Sequence, residues 1–591
     1  MFQTFHETAR PEQGPPRLKA LRGELAREGL DGFIVPRADA HQGEYVAPHD
    51  DRLAWLTGFT GSAGYCVALR DVAGVFVDGR YRVQVKAQVA SDYTPVDWPE
   101  TGLAEWIAPK LPGGGAVGID PWLFSVDQAR GLEERLAGIE LRRCENLVDR
   151  IWEDQPAPPM GAVFAQPVEL AGEAHGDKIA RLARTLGADT CILTLPDSIA
   201  WLLNIRGSDI PRNPVPHGFA LLHADATVTL FMDARKLEGL GDHLGAAVTL
   251  RDPSDFPEAL AALRGTVRLD PASCPVAVRE ALIACEVTEA QDPCLIPKAR
   301  KNAAELEGTR AAHLRDGAAM VRFLAWLDRQ APGSLTEIDV VTTLEGCRAA
   351  TNALRDISFE TIAGAGPNGA IVHYRVTEGT NRPVREGELL LVDSGGQYVD
   401  GTTDITRTVA VGDVGGEECA NFTRVLKGMI ALSRLRFPAG LAGRDIDVLA
   451  RAALWEAGLD YGHGTGHGVG AYLSVHEGPA RIARTGTAPF EPGMILSNEP
   501  GFYREGAYGI RIENLIAVEE APPLAGQVVP RMLRFETLTW VPIDRRLIVT
   551  ALLTAAERDW LDAYHAEVLE RIAPLVEGDD ATWLEAACAP L

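Results

Sequence analysis

The clearest hydrophobic pattern of the chain is a pair of strand-like runs within residues 388–411. Leu-Leu-Leu-Val at 389–392 forms the first run, Gly395-Gly396 interrupts it, and the second run alternates Thr and Ile with polar residues. Apolar runs separated by glycine are typical of a β-hairpin. Asp393 ends the first run and Asp404 lies inside the second, so the pattern predicts two carboxylates held on strands.

Each of these two aspartates has an ordinary alternative. A carboxylate at a strand end is often a solvated turn residue. In an apolar sheet, however, an ionised carboxylate is costly unless a positive charge meets it. What the rest of the chain supplies therefore decides between the two interpretations.

Two stretches of the N-terminal half share one order of elements: a strand, a helix containing Ala-Trp-Leu, a pair of strands, and an Asp-Ala/Gly-Arg turn. The stretches are residues 32–81 and 186–237, which match Trp55 with Trp201 and Asp78 with Asp233. A repeat of this length predicts two similar α/β domains. The Pro-rich segment at 154–161 marks the join between them.

The C-terminal half mixes helices and strands. Residues 303–330 repeat apolar side chains at helical spacing, Thr336 begins another helix, and strand-like segments alternate with helices up to residue 518. Thr554 and Glu557 form a capping box before a last helix, which Pro574 stops. We therefore expect an α/β protein with three domains, the third being an α+β domain with a C-terminal helical extension: residues 1–153, 154–298 and 299–591.

Composition narrows the possible partners and the compartment. The 591 residues carry 57 Lys and Arg against 82 Asp and Glu, a net charge of −25, which argues against nucleic acid or an anionic membrane as the main partner. The chain begins without an apolar targeting segment and contains no run long enough to span a bilayer, so we expect a cytoplasmic protein. Its nine cysteines form no CxxC pair and indicate reduced thiols, without a thiolate nucleophile or thiolate zinc site.

Candidate chemistry is concentrated in the C-terminal half. The glycine-rich segment 461–479 contains His463, His467 and His476, and its glycines allow the backbone to approach a ligand closely, although such text is also found in ordinary loops. Glu499 and Glu513 follow in apolar surroundings, and Glu513 is expected inside a strand. Buried glutamates are rare unless they are paired or bound to a metal.

Five of these residues could together hold metal ions: Asp393, Asp404, His467, Glu499 and Glu513. Their four carboxylates carry a charge that two divalent cations would balance. Oxygen-dominated ligation suits Mn(II), while the single imidazole keeps Zn(II), Co(II) and Fe(II) possible. Two metals about 3.5–4 Å apart can acidify a water, polarise a carbonyl and anchor an amine. The set therefore indicates hydrolysis of an amide close to a free amine.

Several segments resemble a known family in sequence and in order: VDSGGQYVDGTTDITRT, HGTGHGVG, VHEGP, SNEPGFY, YGIRIEN and IVHYR. They look like the signature segments of the pita-bread metallopeptidases. With two α/β domains ahead of the catalytic domain and a helical extension after it, the whole chain is similar to the three-domain Xaa-Pro aminopeptidases, also called aminopeptidase P. The resemblance implies two creatinase-like α/β domains followed by a pita-bread domain, and a homodimer.

The resemblance also implies roles for single residues. It implies that the five residues bind two metal ions, usually Mn(II), that Asp404 and Glu513 bridge them, and that Glu499 also acts as the base. Three further residues match the substrate-facing histidines of the family, which steady a developing oxyanion: His373, His463 and His476. For each histidine the alternative is a satisfied structural residue.

The expected substrates are peptides with proline at the second position. The bond before proline has no N–H, so a peptidase for it must shape a pocket for the pyrrolidine ring. A metal-bound α-amine would place the cut after one residue. No part of the sequence assigns a role to Arg375 or Arg511.

Two other functions remain open at this level. A prolidase performs the same chemistry on dipeptides, but its usual single N-terminal domain fits this duplicated chain poorly. A non-catalytic pita-bread module that binds histones or peptides would lack metal ligands, whereas all five are present. The literal GxGxxG at 364–369 is discounted, because Pro367 and an expected strand at 371–374 contradict a strand-to-helix context.

Overall fold

The computed structural model describes all 591 residues. It divides into two compact units, which we call the N-terminal unit (Thr8–Leu295) and the C-terminal unit (Ile296–Leu591 together with Met1–Glu7). None of the helices combines the length and the apolar character needed to cross a membrane.

The first half of the N-terminal unit is a six-stranded sheet with the order β4-β3-β2-β1-β5-β6. Strands β1 to β3 pair antiparallel, and the other neighbours pair parallel. Its strands are β1 (Gly32–Pro36), β2 (Tyr65–Leu69), β3 (Ala73–Val77), β4 (Thr94–Asp97), β5 (Gly115–Ile119) and β6 (Ile139–Arg143). Its helices are α1 (Gly14–Glu28), α2 (Arg52–Thr57), α3 (Gln84–Gln88), α4 (Leu103–Ile107) and α5 (Val126–Arg135).

The second half repeats this arrangement in the order β12-β11-β10-β8-β13-β14, with the same pairing directions. The predicted duplication is therefore confirmed at the level of sheet topology. Its strands are β7 (Phe164–Ala165), β8 (Thr190–Leu193), β9 (Ile205–Arg206), β10 (Phe219–His223), β11 (Val228–Phe231), β12 (Val248–Arg251), β13 (Gly265–Leu269) and β14 (Cys285–Glu289). Its helices are α6 (Val168–Ala171), α7 (His175–Ala183), α8 (Pro196–Leu203), α9 (Gly241–Leu244), α10 (Phe256–Ala262) and α11 (Val276–Ala281), and α12 (Leu295–Ala299) leads onward.

The C-terminal unit begins with two helices, α13 (Ala303–Asp328) and α14 (Glu337–Ala349), whose capping boxes at Asn302 and Thr336 fix their starts. A small sheet β16-β17-β20 and a short sheet β15-β18-β19 follow. Their strands are β15 (Asp356–Ile357), β16 (Ile362–Ala365), β17 (Glu388–Ser394), β18 (Gly396–Tyr398), β19 (Gly401–Thr402) and β20 (Ile405–Val411).

A second group of two helices and a larger sheet completes the unit. The helices are α15 (Gly416–Ser433) and α16 (Gly443–Trp455), and the sheet order is β21-β28-β27-β24-β22-β23, with β25 and β26 as a separate hairpin. The strands are β21 (Arg436–Pro438), β22 (Gly466–Gly468), β23 (Glu477–Ile482), β24 (Ile495–Asn498), β25 (Gly501–Arg504), β26 (Tyr508–Arg511), β27 (Asn514–Glu520) and β28 (Met532–Thr537).

The chain ends in two helices, α17 (Ala555–Ile572) and α18 (Gly578–Ala587). The predicted capping box is confirmed, because the Thr554 hydroxyl accepts from the Glu557 N–H while the Glu557 carboxylate accepts from the Thr554 N–H. Helix α17 ends at Ile572, two residues before Pro574. Its buried face, including Tyr564 and Val568, joins the core beneath β20 and β26.

Three local expectations are wrong. Asp404 lies directly before β20 and Glu513 directly before β27, so neither residue is inside a strand. Residues 371–374, expected as a strand, form bends and turns that follow a short 3-10 helix at Gly366–Ala370. In each case apolar residues surround the position, but the backbone hydrogen bonds of the neighbouring strand do not include it.

Candidate metal centre

The predicted ligands come from the ends of neighbouring strands in the C-terminal unit. Asp393 lies near the end of β17, where its backbone pairs with Thr406 of β20. Asp404 lies just before β20, and the Glu513 N–H donates to the Thr406 carbonyl at 3.1 Å. Thr406 thus fixes the spacing of the strand ends that carry three of the acids.

His467 is the middle residue of β22, and the residues on both sides of it must be glycine. A Cβ on Gly466 would lie 2.0 Å from the Ser497 carbonyl oxygen, and one on Gly468 would lie 2.2 Å from the Glu477 carbonyl oxygen. The His467 N–H donates to Ser497 Oγ at 2.9 Å, and that hydroxyl donates to Glu499 Oε1 at 3.1 Å. A single serine therefore orients both the imidazole strand and the glutamate.

The side chains converge on one point. Asp404, His467 and Glu513 each offer a ligand atom, and these three atoms lie within 4.8 Å of one another. His467 Nε2 is 3.5 Å from Asp404 Oδ2 and 3.4 Å from Glu499 Oε1. Because His467 Nδ1 lies 3.0 Å from the Gly468 carbonyl, it carries the proton and leaves Nε2 as the ligating nitrogen.

Three buried carboxylate oxygens of this cluster have no hydrogen-bond partner: Asp393 Oδ1, Asp404 Oδ1 and Glu513 Oε1. The other oxygens of two of these acids are satisfied, Glu513 Oε2 by Thr406 Oγ1 at 2.8 Å and Asp393 Oδ2 by Arg511. A buried carboxylate oxygen without a partner is costly. The donor set therefore fits divalent cations, which would satisfy these oxygens together.

The pKa values of these carboxyls also indicate that the cluster lacks positive charge. Burial, followed by Glu513, Asp393 and Glu499, raises the pKa of Asp404 well above its usual range. Burial, followed by Glu499 and Asp393, does the same to Glu513. The pKa of Glu499 rises to about 7, mainly through burial, with Arg511 opposing the rise. Cations entering the site would favour the ionised form of these carboxyls.

The three predicted substrate-facing histidines lie around this cluster in different ways. The His476 ring centroid is 4.3 Å from that of His467, in an edge-to-face arrangement. His463 contacts Tyr503 Oη through Nε2 at 2.8 Å and the Gly464 carbonyl through Nδ1 at 2.8 Å. His373 lies in the turn after Val372, whose carbonyl accepts from Arg511 at 3.3 Å.

Family models match the chain along most of its length. Residues 307–520 match metallopeptidase family M24, and residues 531–591 match the C-terminal region of that peptidase. Residues 17–151 and 154–305 each match the creatinase/prolidase N-terminal domain. Aminopeptidase P2 of Arabidopsis thaliana is 40% identical over 613 residues, covering 95% of this chain and 86% of the relative.

The chain belongs to the aminopeptidase P family of M24 metallopeptidases.

Solved structures agree with this assignment. The X-prolyl aminopeptidase of Caenorhabditis elegans, described as a cytosolic enzyme with a di-nuclear active site, is 34% identical with a TM-score of 0.93, covering 98% of this chain and 100% of that chain. The Xaa-Pro dipeptidase of Bacillus anthracis is 24% identical with a TM-score of 0.50, covering 63% of this chain and 98% of its own. The latter supports the fold alone. The family resemblance and the fold class expected from the sequence are thus confirmed.

Sequence reasoning did not place Arg511 and Tyr503, which the aminopeptidase P fold brings into the site. Arg511 is almost fully buried, and donates to Asp393 Oδ2 and to Tyr503 Oη, each at 2.5 Å. Tyr503 in turn contacts His463. Tyr503 lies in the SNEPGFY segment with Glu499, and Arg511 lies in the YGIRIEN segment with Glu513. Their closeness in sequence to these two glutamates could have indicated that they belong to the site.

Arg375 lies elsewhere, although it is only two residues from His373. Its guanidinium pairs with Glu360 and donates to the carbonyl oxygens of Thr4 at 2.8 Å and His6 at 3.0 Å. It therefore anchors the first residues of the chain to the C-terminal unit.

The C-terminal helix supports the site through Arg407, which is fully buried. Its guanidinium donates to the Glu513 carbonyl at 2.6 Å and to Tyr564 Oη of α17 at 3.1 Å. It also donates to the Val541 and Pro542 carbonyls at 2.7 and 2.9 Å. The helical extension is thus tied to the backbone of a predicted ligand.

Proposed function

We propose that this chain is a metalloaminopeptidase that hydrolyses the bond between an N-terminal residue and a following proline in peptides. The observation that carries the proposal is the group of Asp404, His467 and Glu513, whose ligand atoms lie within 4.8 Å of one another and whose two carboxylates are buried, each with one oxygen lacking a hydrogen bond. Membership of the aminopeptidase P family supports the substrate class.

The proposed ligands of two divalent cations are Asp393, Asp404, His467, Glu499 and Glu513, with Asp404 and Glu513 bridging. Mn(II) suits the four carboxylates, and the single imidazole also fits Zn(II) or Co(II). When bound, the two ions supply Lewis-acid activation of water and of the peptide carbonyl. The di-nuclear site of the Caenorhabditis elegans relative supports the number of ions.

Glu499 is the proposed general base. Its carboxylate lies 3.4 Å from His467 Nε2, and Ser497 Oγ holds its Oε1 in place. It takes the proton of the attacking water and can pass it to the leaving proline nitrogen. Burial raises the pKa of Glu499 to about 7 in the metal-free site.

The proposed catalytic histidines act on the substrate from two sides. His476, beside His467, is a donor toward the scissile carbonyl, and His373 is a donor from the turn next to Val372. His463 has both ring nitrogens engaged, so it acts together with Tyr503 and Arg511 as one hydrogen-bonded unit. Donors placed where charge develops lower the barrier without reorganising at the moment of reaction.

A prolidase restricted to dipeptides is the second candidate. The Bacillus anthracis dipeptidase aligns with only 63% of this chain, whereas the Caenorhabditis elegans aminopeptidase aligns with 98%. The usual single N-terminal domain of a prolidase also fits poorly with the two six-stranded α/β sheets of this chain. We therefore favour peptides, including those longer than two residues, as substrates.

The remaining expectations stay proposals. A cytoplasmic location is supported by the nine free cysteines and by the description of the relative as cytosolic. The net charge of −25 supports a protein without nucleic-acid or membrane partners. We also propose a homodimer. We propose domain boundaries at 153/154 and 298/299, and the two separate six-stranded sheets support a division of the N-terminal half into two domains.

Metal removal and return test the proposal. Protein treated with EDTA should lose hydrolysis of Ala-Pro-Ala, and stepwise addition of Mn(II) should restore it until two ions per chain have been added. Activity that survives complete metal removal, or that is complete after one ion, would contradict the dinuclear site.

A further inference from the structure

A second group of metal-ligating side chains lies in the N-terminal unit. Asp39 follows β1, Asp50 precedes α2, and His217 precedes β10 of the other half. Each residue offers one ligand atom, and the three atoms lie within 4.8 Å of one another. The group thus joins the two duplicated halves of this unit.

One carboxylate oxygen of Asp39 accepts hydrogen bonds from the backbone, and the other accepts none. Only 2% of the residue is exposed, and Oδ1 accepts from the backbone N–H groups of His41 at 2.9 Å and Gly43 at 3.1 Å. Oδ2 is buried, makes no hydrogen bond of acceptable geometry, and lies 3.3 Å from His217 Nε2. Two lone-pair donors therefore face each other across a gap that a proton or a cation must fill.

Contacts with Asp209 and His41 position His217. Its backbone N–H donates to Asp209 Oδ2 at 2.6 Å, and its ring lies 4.5 Å from that of His41. His41 is fixed by its contact from Nδ1 to the Thr194 carbonyl at 3.1 Å.

The charges around the group leave a deficit of two positive charges. The acids are Asp39, Asp50, Asp149 and Asp209, and the cations are Arg52 and Lys236. Arg52 donates to Asp149 at 2.6 and 3.0 Å as well as to Asp50 at 3.0 Å, and Lys236 pairs with Asp209. With His217 in the neutral form that a metal ligand takes, one divalent cation would balance these charges.

We propose that Asp39, Asp50 and His217 bind one zinc-like divalent cation that cross-links the two halves of the N-terminal unit. Carboxylate oxygens and imidazole nitrogens both ligate Zn(II), and water can take the fourth position. Cation binding at these residues requires deprotonated carboxylates and a neutral imidazole. The site is independent of the peptidase function.

The test is the metal content of the full-length protein after equilibration with Zn(II) and desalting. We expect three zinc ions per chain in the wild type and two in Asp39→Asn and His217→Gln. Loss of a ligand should weaken binding by more than the about 10–100-fold that loss of an outer-shell partner costs. His243→Gln is the matched control, since this half-buried histidine of the same unit contacts only the Leu203 carbonyl and His175, and it should keep three.

Two further arms keep the outcomes apart. Asp404→Ala should lose zinc from the peptidase site and retain the ion at Asp39. Anomalous diffraction at the zinc edge on wild-type crystals needs no variant, and should give a peak between Asp39 Oδ2 and His217 Nε2. A bare Asp39–His217 ion pair, seen as no peak there, or an unchanged zinc count in both variants, would overturn the proposal.

Discussion

Arg511 and Asp393 form a buried ion pair in which Nη2 lies 2.5 Å from Oδ2. The same guanidinium reaches Tyr503 through Nη1 and Thr406 through Nε. The charge balance counted from the sequence omitted this cation. Four carboxylates, two divalent cations and Arg511 leave one positive charge, which favours the negative charge that develops on the attacked carbonyl oxygen.

Replacing Arg511 should therefore cost both stability and activity. Arg511→Met leaves Asp393 buried without its partner, a change that typically costs about 3–5 kcal/mol. Urea unfolding and turnover of Ala-Pro-Ala should both report the loss. Arg504→Met is the control, because Arg504 forms an exposed pair with Glu417 and should change stability by less than about 1 kcal/mol. Equal unfolding midpoints for the two variants would contradict this role of Arg511.

Asp404→Ala should abolish activity while the fold is retained. Asp404 is the buried carboxylate that lies between His467 and the other acids, so its loss removes a proposed bridge between the ions. The metal content should fall well below two ions per chain, with circular dichroism unchanged. Asp413→Ala removes an exposed carboxylate of the same region and should leave both quantities as in the wild type. Normal turnover in Asp404→Ala would refute the ligand assignment.

His463→Ala and His476→Ala should keep their metal ions and lose rate. Neither residue is among the five proposed ligands, and loss of one positioned donor costs about 10²–10³ in kcat. Metal analysis and kcat on Ala-Pro-Ala separate the two effects. His6→Ala, an exposed histidine of the same unit, is the control. Purification of either active-site variant without metal would show that its role has been misassigned.

The pH dependence of the metal-free protein should depend on Glu499. Its pKa is raised from 4.5 to about 7, so the folded state holds a proton that the unfolded state releases, and the associated stability is lost as the pH rises through this interval. At about 1.4 kcal/mol for each pH unit, the contribution is about 3 kcal/mol.

Urea unfolding of EDTA-treated protein at pH 5 and pH 8 measures this contribution. Glu499→Gln cannot titrate at this position, so its stability should fall by about 3 kcal/mol less than that of the wild type between the two pH values. The same fall in both proteins would contradict the raised pKa.

The candidate ligands could be picked from the sequence because they lie in short, distinctive segments, with Asp393 and Asp404 sharing one of them. The duplicated α/β halves were also readable, since Trp55 and Trp201 occupy equivalent helices α2 and α8. The strand boundaries at Asp404 and Glu513 could not be predicted, because the apolar sequence pattern continues through positions that precede the first backbone hydrogen bonds of the strands.

Contacts between distant segments could not be read from the sequence. Arg375 binds carbonyl oxygens of residues that are about 370 positions away in the chain, at Thr4 and His6. The pairing of Asp39 with His217 likewise depends on how two homologous sheets face each other. Side-chain chemistry alone indicates that such groups need partners, and only the fold identifies the partners.

Substrate comparison tests the central claim most directly. Release of alanine from Ala-Pro-Ala, Ala-Ala-Ala, Ala-Pro and acetyl-Ala-Pro-Ala should be followed by mass spectrometry with the Mn(II)-loaded protein. The account predicts cleavage of Ala-Pro-Ala after one residue, much slower cleavage of Ala-Ala-Ala, and none of the acetylated peptide, because the free amine sets the position of the cut. Equal rates for Ala-Pro-Ala and Ala-Ala-Ala, or activity confined to Ala-Pro, would contradict it.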